Sequence, residues 1–432
     1  MPRSDQPTKS SVLKHFKRVF SGSIGNLVEW YDWYVYSIFA LYFADTFFPK
    51  QDQTAQLFNT AGIFAIGFLM RPIGGWLMGA YADRRGRKAA LTLSILLMSG
   101  GSLIITFVPG YGSIGIAAPL ILVLARMLQG LSIGGEYGTA ATYLSEIAPK
   151  NRRGLYSSFQ YVTTIFGQLV ALGILLLLQQ VLLTPQQLAS WGWRIPFGIG
   201  AVLAVSAFYL RRNMAETEAF TSEKVKEERR GTFKELGKYR RESFTIVGFT
   251  MGLTLSYYTM TTYVQKFLVN TSGFSKSDST LIMIIALFIF MLAQPLAGIL
   301  GDKVGRKRMM IIAVTLSFLT IPAMVLIANT HNFGWATIII IVALLITSLS
   351  TSISAIIKAE LFPVNVRSLG VSFPYALTVA LFGGTTEYVA LGFKKAGYPQ
   401  GFYWYLFVCI AISLITTIFM PDMEKYSKLD KQ

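Results

Sequence analysis

The sequence predicts an all-α membrane protein, with twelve transmembrane helices in two pseudo-symmetric six-helix bundles. Three observations carry this prediction: apolar blocks of bilayer length, basic residues gathered in alternate connections, and motifs that recur half a chain apart. Of 432 residues, 53% are hydrophobic and only 14% charged, too few charges to clothe a soluble protein of this size. Mean hydropathy is +0.49. Blocks such as 89–109, 336–357 and 402–420 each approach the ~20 residues that cross a hydrocarbon core of about 30 Å. Strand-like alternation is absent, and in lipid a helix satisfies its own backbone.

Taken in order, a first helix at 19–47 follows the basic start of the chain (Arg3, Lys9, Lys14, Lys17, Arg18). A second, at 57–82, ends at the basic turn Arg84, Arg85, Arg87, Lys88, from which a third runs over 89–107. The fourth, 117–147, follows the uncharged connection 110–118 and ends at Lys150, Arg152 and Arg153. The fifth and sixth, 154–182 and 193–210, are joined by a connection without Lys or Arg. Residues 1–210 thus form the N-terminal bundle. Residues 211–241 are too charged to be embedded and read as a cytoplasmic linker, and residues 242–432 form the C-terminal bundle. Its helices fall at 243–269, 279–301, 309–328, 336–361, 370–394 and 402–420, with Lys303–Arg308 in the turn between the second and third. This alternation is the positive-inside pattern, so both termini are expected in the cytoplasm. The net charge of +17 then faces lipid headgroups rather than nucleic acid. The lone Cys409 builds neither disulfide nor metal site, and no cofactor is expected.

The halves repeat one another. The turn from Gly79 through Asp83, Arg84 and Gly86 to Arg87 recurs from Gly298 through Asp302 and Gly305 to Arg306. Glu146-x-x-Pro149-x-x-x-Arg153 recurs as Glu360-x-x-Pro363-x-x-x-Arg367, and Tyr161 then matches Tyr375. Parallel repeats of this kind imply a binding site between two bundles at mid-depth. The turns suggest a cytoplasmic gate in which Asp83 accepts bonds from neighbouring arginines and the two glutamates act as partners. A plain topology-setting turn, with ordinary capping at the glutamates, is the simpler account.

Charges inside apolar helices are the best site markers, because each costs roughly 2.5–3.5 kcal/mol at mid-membrane. Glu29 and Asp32 share a face of the first helix, and Arg126 lies in the fourth. At ~1.5 Å per residue, Asp32 lies ~20 Å from the basic end and Arg126 ~13 Å from the other, so the two could pair. Such a pair is either a proton switch that frees Arg126 for a substrate carboxylate, or a static tie between helices. Glu29 competes for the proton-coupling role. Arg71 is a second candidate anion contact, unless it snorkels or pairs with Glu29 or Asp32. Tyr257, Tyr258 and Lys266 are candidates for the cavity wall, though Lys266 is well placed to snorkel. Lys358, near the cytoplasmic end of its helix, reads the same way. No nucleophile–base set, ATP loop or zinc spacing stands out, so the chain reads as a carrier driven by an ion gradient rather than an enzyme.

The runs Gly25–Tyr36, Gly67–Gly75 and Gln129–Gly138 resemble signatures of the metabolite:proton symporter family of major facilitator carriers. Second-half runs at 263–271 and 384–391, with 191–197, resemble its 2-oxoglutarate branch more than its betaine or citrate branches. The resemblance implies the major facilitator fold and uptake of 2-oxoglutarate or a similar dicarboxylate with protons, across a bacterial inner membrane. The partners expected are a small anionic metabolite, protons and the bilayer, with the chain a monomer. Import of an osmolyte, amino acid or tricarboxylate is the alternative, and a transporter-derived sensor is the rival from another class.

Overall fold

A computed structural model describes residues 9–48, 53–212, 216 and 231–429. Eight of the helices are long and apolar enough to span a bilayer. A ninth span passes as a pair bent by 52°, Pro185–Gly192 with Arg194–Tyr209. Among the described residues three further long helices bring the spans to twelve: Lys9–Phe47, Gln53–Arg85, and Arg240–Tyr258 with its continuation Val264–Asn270. In chain order we call the spans α1 (Lys9–Phe47), α2 (Gln53–Arg85), α3 (Arg87–Phe107), α4 (Ala117–Ile147), α5 (Arg153–Leu177) and α6 (Arg194–Arg212). The second half has α7 (Arg240–Tyr258), α8 (Lys276–Val304), α9 (Arg306–Ser317 and Thr320–Ala328), α10 (Phe333–Glu360), α11 (Arg367–Thr378 and Thr386–Lys395) and α12 (Gln400–Phe419). No strand occurs among the described residues.

Two elements differ from expectation. α1 begins at Lys9, ten residues before its apolar block, because neither Gly nor Pro interrupts residues 9–21. Helix α9 breaks at Phe318–Leu319, where Pro322 has no N–H to return and its ring crowds the preceding turn. Most of the linker at 211–241 lies outside the described residues. Its last part forms a short helix, Phe233–Leu236, capped by the Thr232 hydroxyl.

Close packing within the first half rests on a glycine face of α4. A Cβ on Gly134 would stand 2.1 Å from the Arg71 carbonyl oxygen, and one on Gly130 2.4 Å from that of Gly67. Small residues at this crossing bring the backbones of α2 and α4 together and fix where Arg71 and Arg126 emerge. Between the halves the repeat is visible again. Gly79 of α2 meets Leu369 of α11, and Gly298 of α8 meets Gly154 of α5.

Candidate functional site

At the basic end the halves are held by two matching ionic clusters. Asp83 bonds Arg87 at 3.2 Å and also accepts the backbone N–H groups of Ser368 and Leu369, at the start of α11. Asp302 accepts those of Gly154 and Leu155, at the start of α5. Each carboxylate thus caps a helix N-terminus of the opposite half, where orphan N–H groups and the helix dipole favour an anion. Glu146 bridges Arg87 (3.0 Å) and Arg367 (2.8 Å), while Glu360 bridges Arg306 (2.7 Å) and Arg153 (3.2 Å). In both cases one arginine comes from each half. Gly86 and Gly305, at φ 100° and 98°, make the turns that present these groups. Arg84, in the same turn, is exposed.

Deeper in the protein, both arginines marked by the sequence are buried. The Arg71 guanidinium lies 4.2 Å and that of Arg126 4.3 Å from the centre of the same Trp33 ring. Phe68 stands under Arg71 at 4.0 Å and Tyr36 under Arg126 at 4.2 Å. These rings lower the cost of burying the cations without neutralising them. Arg71 pairs with neither Glu29 nor Asp32. Its Nη1 donates to the Tyr258 hydroxyl across the inter-half boundary at 3.3 Å, and its Nε and Nη2 have no hydrogen-bond partner.

Asp32 and Arg126 make no direct ion pair, contrary to the simplest reading of their depths. Instead Arg126 Nη1 donates to Gln129 Oε1 (2.6 Å), Gln129 Nε2 donates to Ser102 Oγ (3.0 Å), and Ser102 donates to Asp32 Oδ2 (2.6 Å). The separation has a steric cause. Gly200 of α6 leaves the space into which Asp32 Oδ1 projects, 1.9 Å from where a Cβ would be, so the carboxylate turns toward α6 and α3. Glu29 is equally buried and is held by the hydroxyls of Ser94 and Ser132.

Of the proposed wall residues, Tyr257 and Tyr258 are buried in the centre, their rings 5.3 Å apart. Tyr258 lines a cavity of about 50 Å³ with Trp33, Tyr34, Phe68, Tyr263 and Glu387. Lys266 pairs with a residue of this cavity wall, Glu387. It is half exposed and its Nζ bonds both Glu387 carboxylate oxygens at 2.7 Å, so its charge is already matched. Lys358 reverses its expectation. It is fully buried, donates to the Tyr137 hydroxyl at 2.9 Å, and lies 4.0 Å from the Tyr375 ring centre. Ser102 and Gln129 were not singled out by the sequence, since nothing marks a Ser or Gln inside an apolar helix as part of a charge relay.

Comparison with known proteins agrees with this architecture. The Major Facilitator Superfamily matches residues 22–383. The chain belongs to that superfamily. As a major facilitator protein it is 48% identical over 423 residues to the "Alpha-ketoglutarate permease" of Escherichia coli, covering 98% of this chain and 97% of the relative. It is 32% identical to the "Citrate-proton symporter" of Salmonella typhi, over 92% of both chains. Another Escherichia coli relative, the "Inner membrane metabolite transport protein YhjE", is 36% identical over 87% of both. The solved proton:xylose symporter XylE shares the major facilitator fold, with a TM-score of 0.77 at 18% identity, covering 97% of this chain and 99% of that one.

Proposed function

We propose that this major facilitator protein is a proton-coupled symporter that imports 2-oxoglutarate or a related dicarboxylate by alternating access. The observation that carries the reading is the pair of buried guanidinium groups on the Trp33 ring, beside a cavity at the boundary of the halves. Two like charges held this close inside the bilayer repel one another, and a carboxylate entering between them removes that repulsion. The free Nε and Nη2 edge of Arg71 suits the bidentate fork that a carboxylate accepts. The relatives named for α-ketoglutarate and citrate support an anionic substrate.

Asp32 carries the coupled proton in this reading. While it is ionised, Ser102 donates to it, Gln129 is held by Ser102, and Arg126 is held by Gln129. A proton on Asp32 adds one positive charge to the site and ends the demand on the Ser102 hydroxyl. Gln129 is then released to turn, and Arg126 with it. Protonation and anion binding therefore favour one another, which is what symport requires. The closed ionic clusters at the basic end form the cytoplasmic gate, with both termini on that side of a bacterial inner membrane. The chain acts as a monomeric carrier rather than a catalyst or a nucleic-acid binder.

The test is uptake of labelled 2-oxoglutarate, succinate, citrate and betaine into proteoliposomes under an imposed pH gradient. Accumulation of 2-oxoglutarate that a protonophore abolishes is the expected result. Preferential uptake of betaine overturns the substrate class.

A further inference from the structure

We propose that Lys358, in its cage of tyrosines, is a second carboxylate subsite that takes the end of the dicarboxylate remote from Arg71. This rests on the reading of the chain as a dicarboxylate carrier and adds to it the feature that distinguishes two carboxylates from one.

Lys358 is fully buried, and among the described residues no carboxylate pairs with it. The nearest acid along its helix, Glu360, is taken by Arg306 and Arg153. An ammonium group carries three donors, and only the one aimed at Tyr137 is used. Rings of Tyr137 and Tyr375, stacked 3.7 Å apart, flank it without supplying a counter-charge. A buried ammonium without an anion is costly, and a site that binds one transiently explains why it is kept. Lys358 also borders a cavity of about 20 Å³, room for one water, whose wall includes the Thr250 hydroxyl, itself without a partner. The substrate then enters only as the halves part.

Position supports the pairing with Arg71. From Arg71 the contacts run through Tyr258 (3.3 Å) and Tyr257 to Tyr161, whose ring centre is 5.6 Å from that of Tyr257. Tyr161 and Tyr375 are equivalent positions of the two repeats and both line the Lys358 cavity or the boundary beside it. The cations are not duplicated. Leu144 stands where the repeat would match Lys358, and Phe290 where it would match Arg71. A symmetric tyrosine frame has thus acquired one cation at each end, from opposite halves.

The experiment compares binding of 2-oxoglutarate with that of 2-oxopentanoate, the same skeleton without the second carboxylate, to purified full-length protein. Wild type should prefer 2-oxoglutarate by ~30-fold or more, the scale of a buried charge-assisted contact. Lys358→Met should lose that preference, with 2-oxopentanoate affinity unchanged; the hydrogen-bonding Lys358→Gln provides the same comparison where the Met variant does not fold. Equal binding of both acids to wild type, or an equal loss of both in the variants, overturns the subsite while leaving the carrier reading intact. Failure of wild type to bind either acid sinks the carrier reading instead.

Discussion

The Asp83 carboxylate, at the end of α2, accepts the backbone N–H of Leu369 at 2.9 Å, so a side chain of one half caps a helix of the other. Because Asp83 is fully buried and also holds Arg87, this contact is sensitive to its charge. Asp83→Asn should weaken the closed basic end by about 2 kcal/mol. In a Cys409→Ser background, Ser372→Cys, buried against Gly138 of α4, reports the opening. Maleimide labelling at that site should rise roughly tenfold or more with the Asn variant. Unchanged labelling would mean that the cap does not hold the gate.

The two glutamate bridges are equivalent in sequence but not in burial. Glu146 and both of its arginines have fully buried side chains, whereas Arg153 and Arg306 around Glu360 keep 9% and 8% exposure. Glu146→Gln removes the carboxylate that the buried Arg87 and Arg367 share, with Asp83 still paired to Arg87, a loss on the order of 3 kcal/mol. Thermal unfolding in detergent should therefore show a larger drop for Glu146→Gln than for Glu360→Gln. The reverse order would contradict the role given to burial.

Lys266 provides a check on a candidate whose charge is already matched by Glu387. Its side chain is 55% exposed and its bridge to Glu387 is open to water, where such pairs contribute about 0–1 kcal/mol. Lys266→Met should leave substrate affinity within about twofold in a binding assay. A loss of an order of magnitude would return Lys266 to the substrate site.

Gln129 has no charge, yet it stands between Asp32 and Arg126. Gln129→Leu removes both of its bonds and should uncouple the proton from the substrate. Counterflow of 2-oxoglutarate should persist, while accumulation driven by a pH gradient falls about tenfold or more, the size of one broken charge-assisted contact. Equal loss of both activities would assign Gln129 to packing alone.

Much of this was legible in the chain itself. Bilayer-length apolar blocks and the basic turns located the spans, and the cost of intramembrane charge singled out Asp32, Arg71 and Arg126. What the residues could not reveal was tertiary. The depth argument brought Asp32 and Arg126 to one level, but the space opposite Gly200 turns the carboxylate away, and Ser102 and Gln129 fill the gap. Lys358 was misread because snorkelling assumes that a helix end meets water. The end of α10 lies instead among the ionic clusters of the basic end, where Glu360 is wholly buried, and the lysine is buried with it. The donors to Asp83 and Asp302 were hidden because they are backbone N–H groups of the opposite half.

The most direct test of proton-linked dicarboxylate transport follows external pH when 2-oxoglutarate is added to proteoliposomes with no gradient imposed. The wild-type protein should alkalinise the medium as protons enter with the acid, and Asp32→Asn should abolish that signal while retaining counterflow. Substrate entry by the wild-type protein without any pH change would contradict the account.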